Sequence, residues 1–391
     1  MKILKIITYI FLGTFIFILI ALISQYVINA KYVFPEPHPF KGDYLYDPYK
    51  GMDSTKWQLG NLHVHTRLYL GTTNGRANSS EYLDSFYRYF GYKIIGISDY
   101  QSINTYESKN KWFIPEYEHG YQYYKNHHLV LNAKKVSWLD YFFRQTLSNK
   151  QFIINRLKKD SSVVLAIPHP VLRQALSFND FKYLSNYNCL EIANNQKQFS
   201  AYYDTILSAG HPVFIMADDD AHDLRKIDEG CHSFNFVNTD LLKDSILNAI
   251  ITGRSVGVNF NIKSYKTNEE KKAALEKLPK ILNVSLKNDA LVVSLNQVVT
   301  SMNFIGQNGA VKKSVTNCNT GSYFFVKEDT YIRTEIKCVD GTIYFLNPVF
   351  RYDGKRLTYY AAEFNVFKTW GLRAIVIALV LLIIFIRKNK K

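Results

Sequence analysis

The chain has 391 residues, is 47% hydrophobic and 21% charged, and carries a formal net charge of +15. That length accommodates a barrel-sized domain and a smaller one, and the charge suits anionic lipid surfaces and phosphate-bearing substrates. The sequence holds no ordered basic-aromatic ladder of the kind that marks nucleic-acid binding, no CxxC pair, and no Walker loop, GxSxG elbow or GxGxxG turn. Thiolate zinc sites, nucleotide-triphosphate chemistry, serine esterases and Rossmann enzymes are thereby set aside.

Residues 6–24 form an uncharged run of 19 residues, rich in Ile, Leu and Phe and preceded by Lys2 and Lys5. At 1.5 Å per residue such a run crosses a hydrocarbon core of about 30 Å. Ile28-Asn29-Ala30 is a tolerable signal-peptidase site, but the run exceeds a usual signal core, so residues 1–30 read as an uncleaved anchor. A linker, 31–58, follows.

From 59 to 257 short apolar runs alternate with helical stretches. Strands are expected at 59–64, 93–98, 111–114, 129–133, 163–167, 189–192 and 212–217. Helices are expected at 81–90, 141–159, 178–185, 199–209 and 241–252. Repeated βα alternation implies a parallel sheet, open or closed into a barrel. A charged linker, 258–279, gives way to period-2 runs at 291–295, 331–338 and 342–346, with Asp340-Gly341 as a hairpin turn. Residues 280–365 therefore read as a small all-β, sandwich-type domain. Cys318 and Cys338 lie within it and could pair outside the cytoplasm.

The last segment, 366–391, holds an apolar run, 374–386, that reaches 17 residues if Arg373 snorkels beside Trp370. A second membrane span is expected there, with a surface-lying tail as the alternative. Basic residues at both extreme ends place both in the cytoplasm by the positive-inside rule, and the globular part on the periplasmic side.

Leu62-His63-Val64-His65-Thr66 carries the strongest chemical signal. Alternate residues of a strand share a face, so both imidazoles can converge on one ion. Further candidates follow other strands: Glu118, His169 in Pro168-His169-Pro170, and His222 in Asp218-Asp219-Asp220-Ala221-His222. Glu191 lies within a strand and Asp99 ends one. The carboxyl ends of strands are where βα folds build sites. Imidazole and carboxylate without thiolate suit zinc, manganese or iron.

LHVHT, ISDY, PEYEHG, NHHLVL, IPHP and DDDAH occur in that order, and together they resemble the PHP (polymerase and histidinol phosphatase) superfamily over about residues 59–257. The resemblance implies a distorted seven-stranded β/α barrel whose divalent ions, up to three, hydrolyse phosphoesters. Carried over residue by residue, His63 and His65 would hold the first metal and Glu118 would bridge to the second. His127 or His128, with preference for His127, and His169 would complete the second. Asp220 and His222 match the closing pair, with Asp218 the runner-up carboxylate. Asp99 is expected to orient a ligand imidazole.

Two positions depart from the pattern. Leu70 stands where the family commonly has an acid or histidine, and Tyr100 replaces the histidine of its TDH motif. Both losses weaken a third metal, so two ions are expected, or a third held loosely through substrate. Two ions about 3.5–4 Å apart suffice to activate water and polarise a phosphoryl oxygen. Arg173 is placed to clamp a phosphate oxygen, and Tyr100 to donate a hydrogen bond to substrate. The function expected is a membrane-anchored, metal-dependent phosphoesterase acting in the envelope on a phosphorylated small molecule, lipid headgroup or glycan. The alternatives are a non-catalytic scaffold with a degenerate site, and a metallohydrolase of a non-phosphate bond. His38, His211 and His232 read as structural, and His119 is left open: it adjoins Glu118 but points to the opposite side if the segment is extended.

Overall fold

The computed structural model describes residues 2–73, 75, 77–195, 197–355, 357 and 361–389; Lys390 and Lys391 of the basic tail lie outside the described residues. Its helices are α1 (Lys2–Ile28), α2 (Ser80–Tyr89), α3 (Leu147–Leu157), α4 (Phe178–Tyr183), α5 (Ser200–Ser208), α6 (Lys243–Thr252), α7 (Asn268–Glu276) and α8 (Val366–Lys388). The early strands are β1 (Tyr32–Val33), β2 (Tyr44–Tyr46), β3 (Trp57–Asn61), β4 (Ile94–Ile95), β5 (Glu116–His119) and β6 (His128–Leu131). They are followed by β7 (Val164–Ile167), β8 (Cys189–Asn194), β9 (Lys197–Gln198), β10 (Phe214–Asp218), β11 (Ser233–Asn238) and β12 (Ser255–Asn259). The C-terminal strands are β13 (Ile281–Lys287), β14 (Ala290–Gly306), β15 (Ala310–Phe324), β16 (Tyr331–Lys337), β17 (Ile343–Leu346), β18 (Val349–Tyr352) and β19 (Glu363–Phe364).

Local chemistry sets the helix ends. Ser79 caps α2 by accepting from the Tyr82 amide, and Leu83, Phe86 and Tyr87 form its buried stripe. Thr146 and Asn149 make a reciprocal capping box at α3. Gly253, at φ 77°, stops α6 in the left-handed region.

The strands do not fall into one sheet. Strands β10-β8-β7-β6-β5 make one sheet, with β9 on β8, while β3, β4, β11 and β12 belong to another. Two isolated parallel bridges, Val64 to Ala221 and Tyr100 to Glu118, join the two sheets. Nor is the pairing all parallel: β5–β6, β6–β7, β11–β3 and β11–β12 run antiparallel. The strand expected at 111–114 does not form. A turn bonds Phe113 N to the Asn110 carbonyl, and the strand begins after Pro115, whose carbonyl accepts from Ala133 N.

The C-terminal strands extend the second sheet instead of standing apart as a sandwich, because β17 pairs β12 along Val256–Leu346 to Asn259–Ile343. The 338–342 turn does form: Gly341, at φ 88°, links β16 to its antiparallel partner β17. The charged stretch before β13 is not all linker, since it contains α7, whose buried Lys271 donates to the Ile227 and Gly230 carbonyls. Cys318 and Cys338 are both free. They flank β14 on opposite edges, Cys318 across from Val299 and Lys337 across from Ser301. Two strand spacings, about 9.6 Å, exceed the roughly 7 Å Cα limit for a disulfide.

Residues 3–28 and 366–388 are each long and apolar enough to cross a membrane. They leave the globular part side by side. Arg373 Nε donates to the Ile28 carbonyl (2.9 Å), Thr369 Oγ1 accepts from Lys31 N (2.9 Å), and β1 pairs β19.

Candidate metal centre

Backbone bonds bring the motifs together. Asp220 N donates to the His63 carbonyl (2.9 Å) and His65 N to the Ala221 carbonyl (3.1 Å), which lays the HxH segment alongside the DDDAH segment. On the other side, Gln101 N donates to the Glu118 carbonyl and Glu118 N to Ser98, which aligns the ends of the second and third motifs. Asp220 (φ 53°) and His169 (φ 26°) adopt left-handed backbone. That conformation costs a side-chain-bearing residue about 1–3 kcal/mol, and such strain concentrates at functional sites.

Five imidazoles face two carboxylates. Glu118 Oε1 lies 2.5 Å from His127 Nδ1, 2.9 Å from His169 Nε2 and 3.7 Å from His63 Nε2. Its Oε2 lies 3.3 Å from His65 Nε2. Asp220 Oδ1 lies 3.2 Å from His63 Nε2, 3.1 Å from His65 Nε2 and 3.4 Å from His222 Nε2. All but Asp220 and His222 are buried.

Four triads have ligand atoms close enough to share an ion: His63–His65–Glu118, His63–His169–Asp220, His65–Asp220–His222 and Glu118–His127–His169. The last two share no residue. His63 Nε2 and Glu118 Oε2 are buried without a hydrogen-bond partner. Orphaned atoms are costly in an apolar interior, and a cation shared by the His63–His65–Glu118 triad would satisfy both. The donor set fits a divalent first-row ion.

The electrostatics match. Burial opposes charge on His63, but Asp220 and Glu191 outweigh it and raise its pKa well above the usual imidazole range. Burial also works against the Glu118 carboxylate, yet His127, His169 and His63 hold it well below the carboxylate range. Asp220 is lowered likewise by His63, His222, His65 and His169 against the burial penalty. The cluster thus keeps two anions where a cation would sit.

The remaining candidates divide. His127 faces Glu118, whereas His128 points to the other side of β6 and is corrected here as a ligand. It pairs across the strands with His119, with ring centroids 5.8 Å apart. Successive strand residues alternate faces, and His127 shares the Glu118 side. Desolvation lowers the pKa of both outward histidines, His119 to about 4. His119 Nε2 meets the Leu139 carbonyl at 2.9 Å.

Asp99 does not orient an imidazole. It accepts from Thr66 N (2.7 Å), Thr66 Oγ1 (2.6 Å) and Asn104, and so clamps the turn after His65. Glu191 takes the orienting role that the sequence reading did not give it. Its Oε1 lies 2.6 Å from His63 Nδ1, and its Oε2 accepts from His169 N (2.7 Å) and Asn194 (2.7 Å). A carboxylate on the outer nitrogen fixes a ligand histidine's tautomer. The available signal was an acid inside the otherwise apolar run 189–193. Asp218 is turned to Leu62 N (2.6 Å) and Asn235, below the cluster. Asp219 binds the amides of Cys231, His232 and Ser233.

The Tyr100 ring stacks on His65 (4.4 Å, 15°) and meets His127 edge-on at 5.6 Å. Leu70 is 96% exposed and supplies nothing to the cluster. Arg173 donates to the Tyr123 carbonyl (3.1 Å) and lies over the Tyr123 ring (4.6 Å).

No protein-family model and no curated protein matches the chain. Among solved structures, it is similar to a two-domain protein from Bacteroides vulgatus that contains a predicted PHP-like metal-dependent phosphoesterase. That likeness covers 80% of this chain and 99% of the other at 12% identity, with a TM-score of 0.43. It is also similar to PsfC from Pseudomonas syringae over 56% of this chain and 96% of the other, at 10% identity and a TM-score of 0.36.

Proposed function

We propose that this protein is a membrane-anchored, metal-dependent phosphoesterase of the PHP type, with its globular part on the periplasmic side. One observation carries the reading: five imidazoles converge on the buried Glu118 and the half-buried Asp220, both of which stay ionised. The order of the sequence motifs supports it.

Glu118, His127 and His169 would hold one ion and His65, Asp220 and His222 a second, with His63 between the two groups. Zinc, manganese or iron fits these donors. When bound, a pair of divalent ions supplies an activated water and polarises the phosphoryl oxygen. The chain's own side chains do the rest. Glu191 holds the His63 ring in place, Tyr100 covers one face of His65, and Arg173 and Tyr100 are assigned to the incoming phosphate.

A scaffold reading draws on Leu70 and Tyr100, which stand where two further ligands would be. Elemental analysis of the purified full-length protein separates the two. About two equivalents of zinc, manganese or iron per chain, lost in a His63→Ala/His65→Ala double variant, is the expected result. No stoichiometric metal after loading would sink the hydrolase and leave the scaffold.

A further inference from the structure

Beside the cluster opens a cavity of about 460 Å³ whose walls include Tyr69, Tyr100, Gln101, Tyr121, Lys125 and Trp138. Tyr100 belongs to both, since the ring that borders the cavity is the one stacked on His65. Lys125 Nζ lies 5.2 Å over that ring and brings a positive charge to the wall. Gln101 is 5% exposed, has left-handed backbone (φ 52°), and neither atom of its side-chain amide has a hydrogen-bond partner. An unsatisfied buried amide is costly, and here a polar ligand in the cavity would satisfy it.

The far wall leads to the membrane. Trp138 is 61% exposed, and three residues later Tyr141 Oη accepts from Asn29 Nδ2 (2.7 Å). Tyr26 Oη donates to the Phe143 carbonyl (2.5 Å). Tyr26 lies in the last turn of α1 and Asn29 just beyond it. Trp138 thus stands on the loop that docks against the anchor's end, with its Cα at most about 11 Å from that of Tyr141. The candidate span of 26 residues, at 1.5 Å each, exceeds the roughly 30 Å hydrocarbon core, so it has helix to spare, and its last turn is assigned to the headgroup region. The loop docked there exposes Trp138, Phe142 and Phe143, with Lys134, Lys135 and Arg144 close by in sequence. Aromatic and basic residues together are the composition that anionic membrane interfaces select.

We infer that the substrate is a membrane-borne phosphoester, a lipid phosphate or lipid-linked phosphate. Its hydrocarbon part stays in the bilayer beside Trp138, Phe142 and Phe143, its polar part fills the cavity against Gln101 and Lys125, and its phosphorus reaches the cluster. The catalytic half of this inference rests on the phosphoesterase reading; the membrane-facing half does not. Hydrolysis joins the oxygen of water to phosphorus, breaks the bond to the leaving oxygen, and passes a proton from the water to the leaving alcohol.

Two measurements on the full-length chain in vesicles of mixed neutral and anionic phospholipid test it. The fluorescence of the native protein minus that of a Trp138→Phe variant isolates Trp138. Lipids spin-labelled near the headgroup should quench that component by at least half. An unquenched Trp138 overturns the inference whether or not the protein is an enzyme. The second measurement compares hexadecyl p-nitrophenyl phosphate in the vesicles with methyl p-nitrophenyl phosphate in solution, which share the scissile bond. At least a tenfold preference in kcat/KM for the long chain, reduced in a Gln101→Ala variant, is expected, and equal values overturn the inference. Turnover of neither ester, with Trp138 quenched, counts against the hydrolase and leaves the membrane contact standing.

Discussion

The β5–β6 hairpin presents histidines to two different environments a few ångströms apart. On its inner side His127 meets the Glu118 carboxylate at 2.5 Å. On its outer side His119 and His128 meet each other, a carbonyl and apolar neighbours. Residue type is the same on both faces; what differs is whether an anion shares the burial. Inside, Glu118 is held ionised by the rings around it and the group suits a cation. Outside, desolvation outweighs the Leu139 carbonyl and the more distant Glu118, and the rings stay neutral. Burial alone therefore does not make a histidine functional.

Substitutions can break this contrast. Glu118→Gln removes the anion shared by four imidazoles. It should cut both metal content and phosphoester turnover by more than the roughly 100-fold upper range of outer-shell changes, measured by elemental analysis and kcat/KM. His127→Ala and His128→Ala sharpen it as a pair. The first should lose metal and stability together, since it also strips a buried partner from the Glu118 carboxylate. The second should keep metal and lose about 1–3 kcal/mol of stability, as buried-group deletions do. Metal loss in His128→Ala with none in His127→Ala would reverse the assignment of faces.

Glu191→Gln tests the orienting contact and should weaken metal affinity by roughly 10–100-fold, read by chelator competition. The smallest effect concerns pH. His211, buried and bonded to the Lys182 carbonyl (3.0 Å), has a pKa lowered by desolvation. Its unfolded form takes up a proton first as pH falls below about 6.5. Its contribution is therefore complete above that pH and lost progressively below it. A His211→Gln variant should show a flatter decline of unfolding free energy between about pH 6.5 and 5 than the native chain; an unchanged slope would remove His211 from the account.

Much of the site was legible because its residues sit at the ends of apolar runs. His63, His65, Glu118, His169, Asp220 and His222 all carried that mark, and the structure brings them together. Glu191 lacked it, since it lies inside β8 and its role depends on meeting His63, which follows β3 of the other sheet. Asp99 was misread because a carboxylate at a strand end serves equally to clamp a turn. The cavity at Gln101 was invisible, because an unsatisfied amide is a statement about neighbours. The helices expected from periodicity were found to within a few residues except α3, whose start the Thr146 cap places later than the apolar pattern suggested, while α7 was missed because its charged stretch reads as linker.

By itself the sequence determined two apolar terminal segments, an alternating α/β body, a β-rich C-terminal part and an ordered set of imidazoles and carboxylates. These follow from composition and periodicity, which act locally along the chain. Only the tertiary structure decided that the strands form two bridged sheets, that β17 extends the second of them, that Cys318 and Cys338 are kept apart by β14, and that His127 and not His128 faces Glu118. Each of these depends on which strand lies beside which and in what register, and a one-residue change of register turns every side chain to the opposite face.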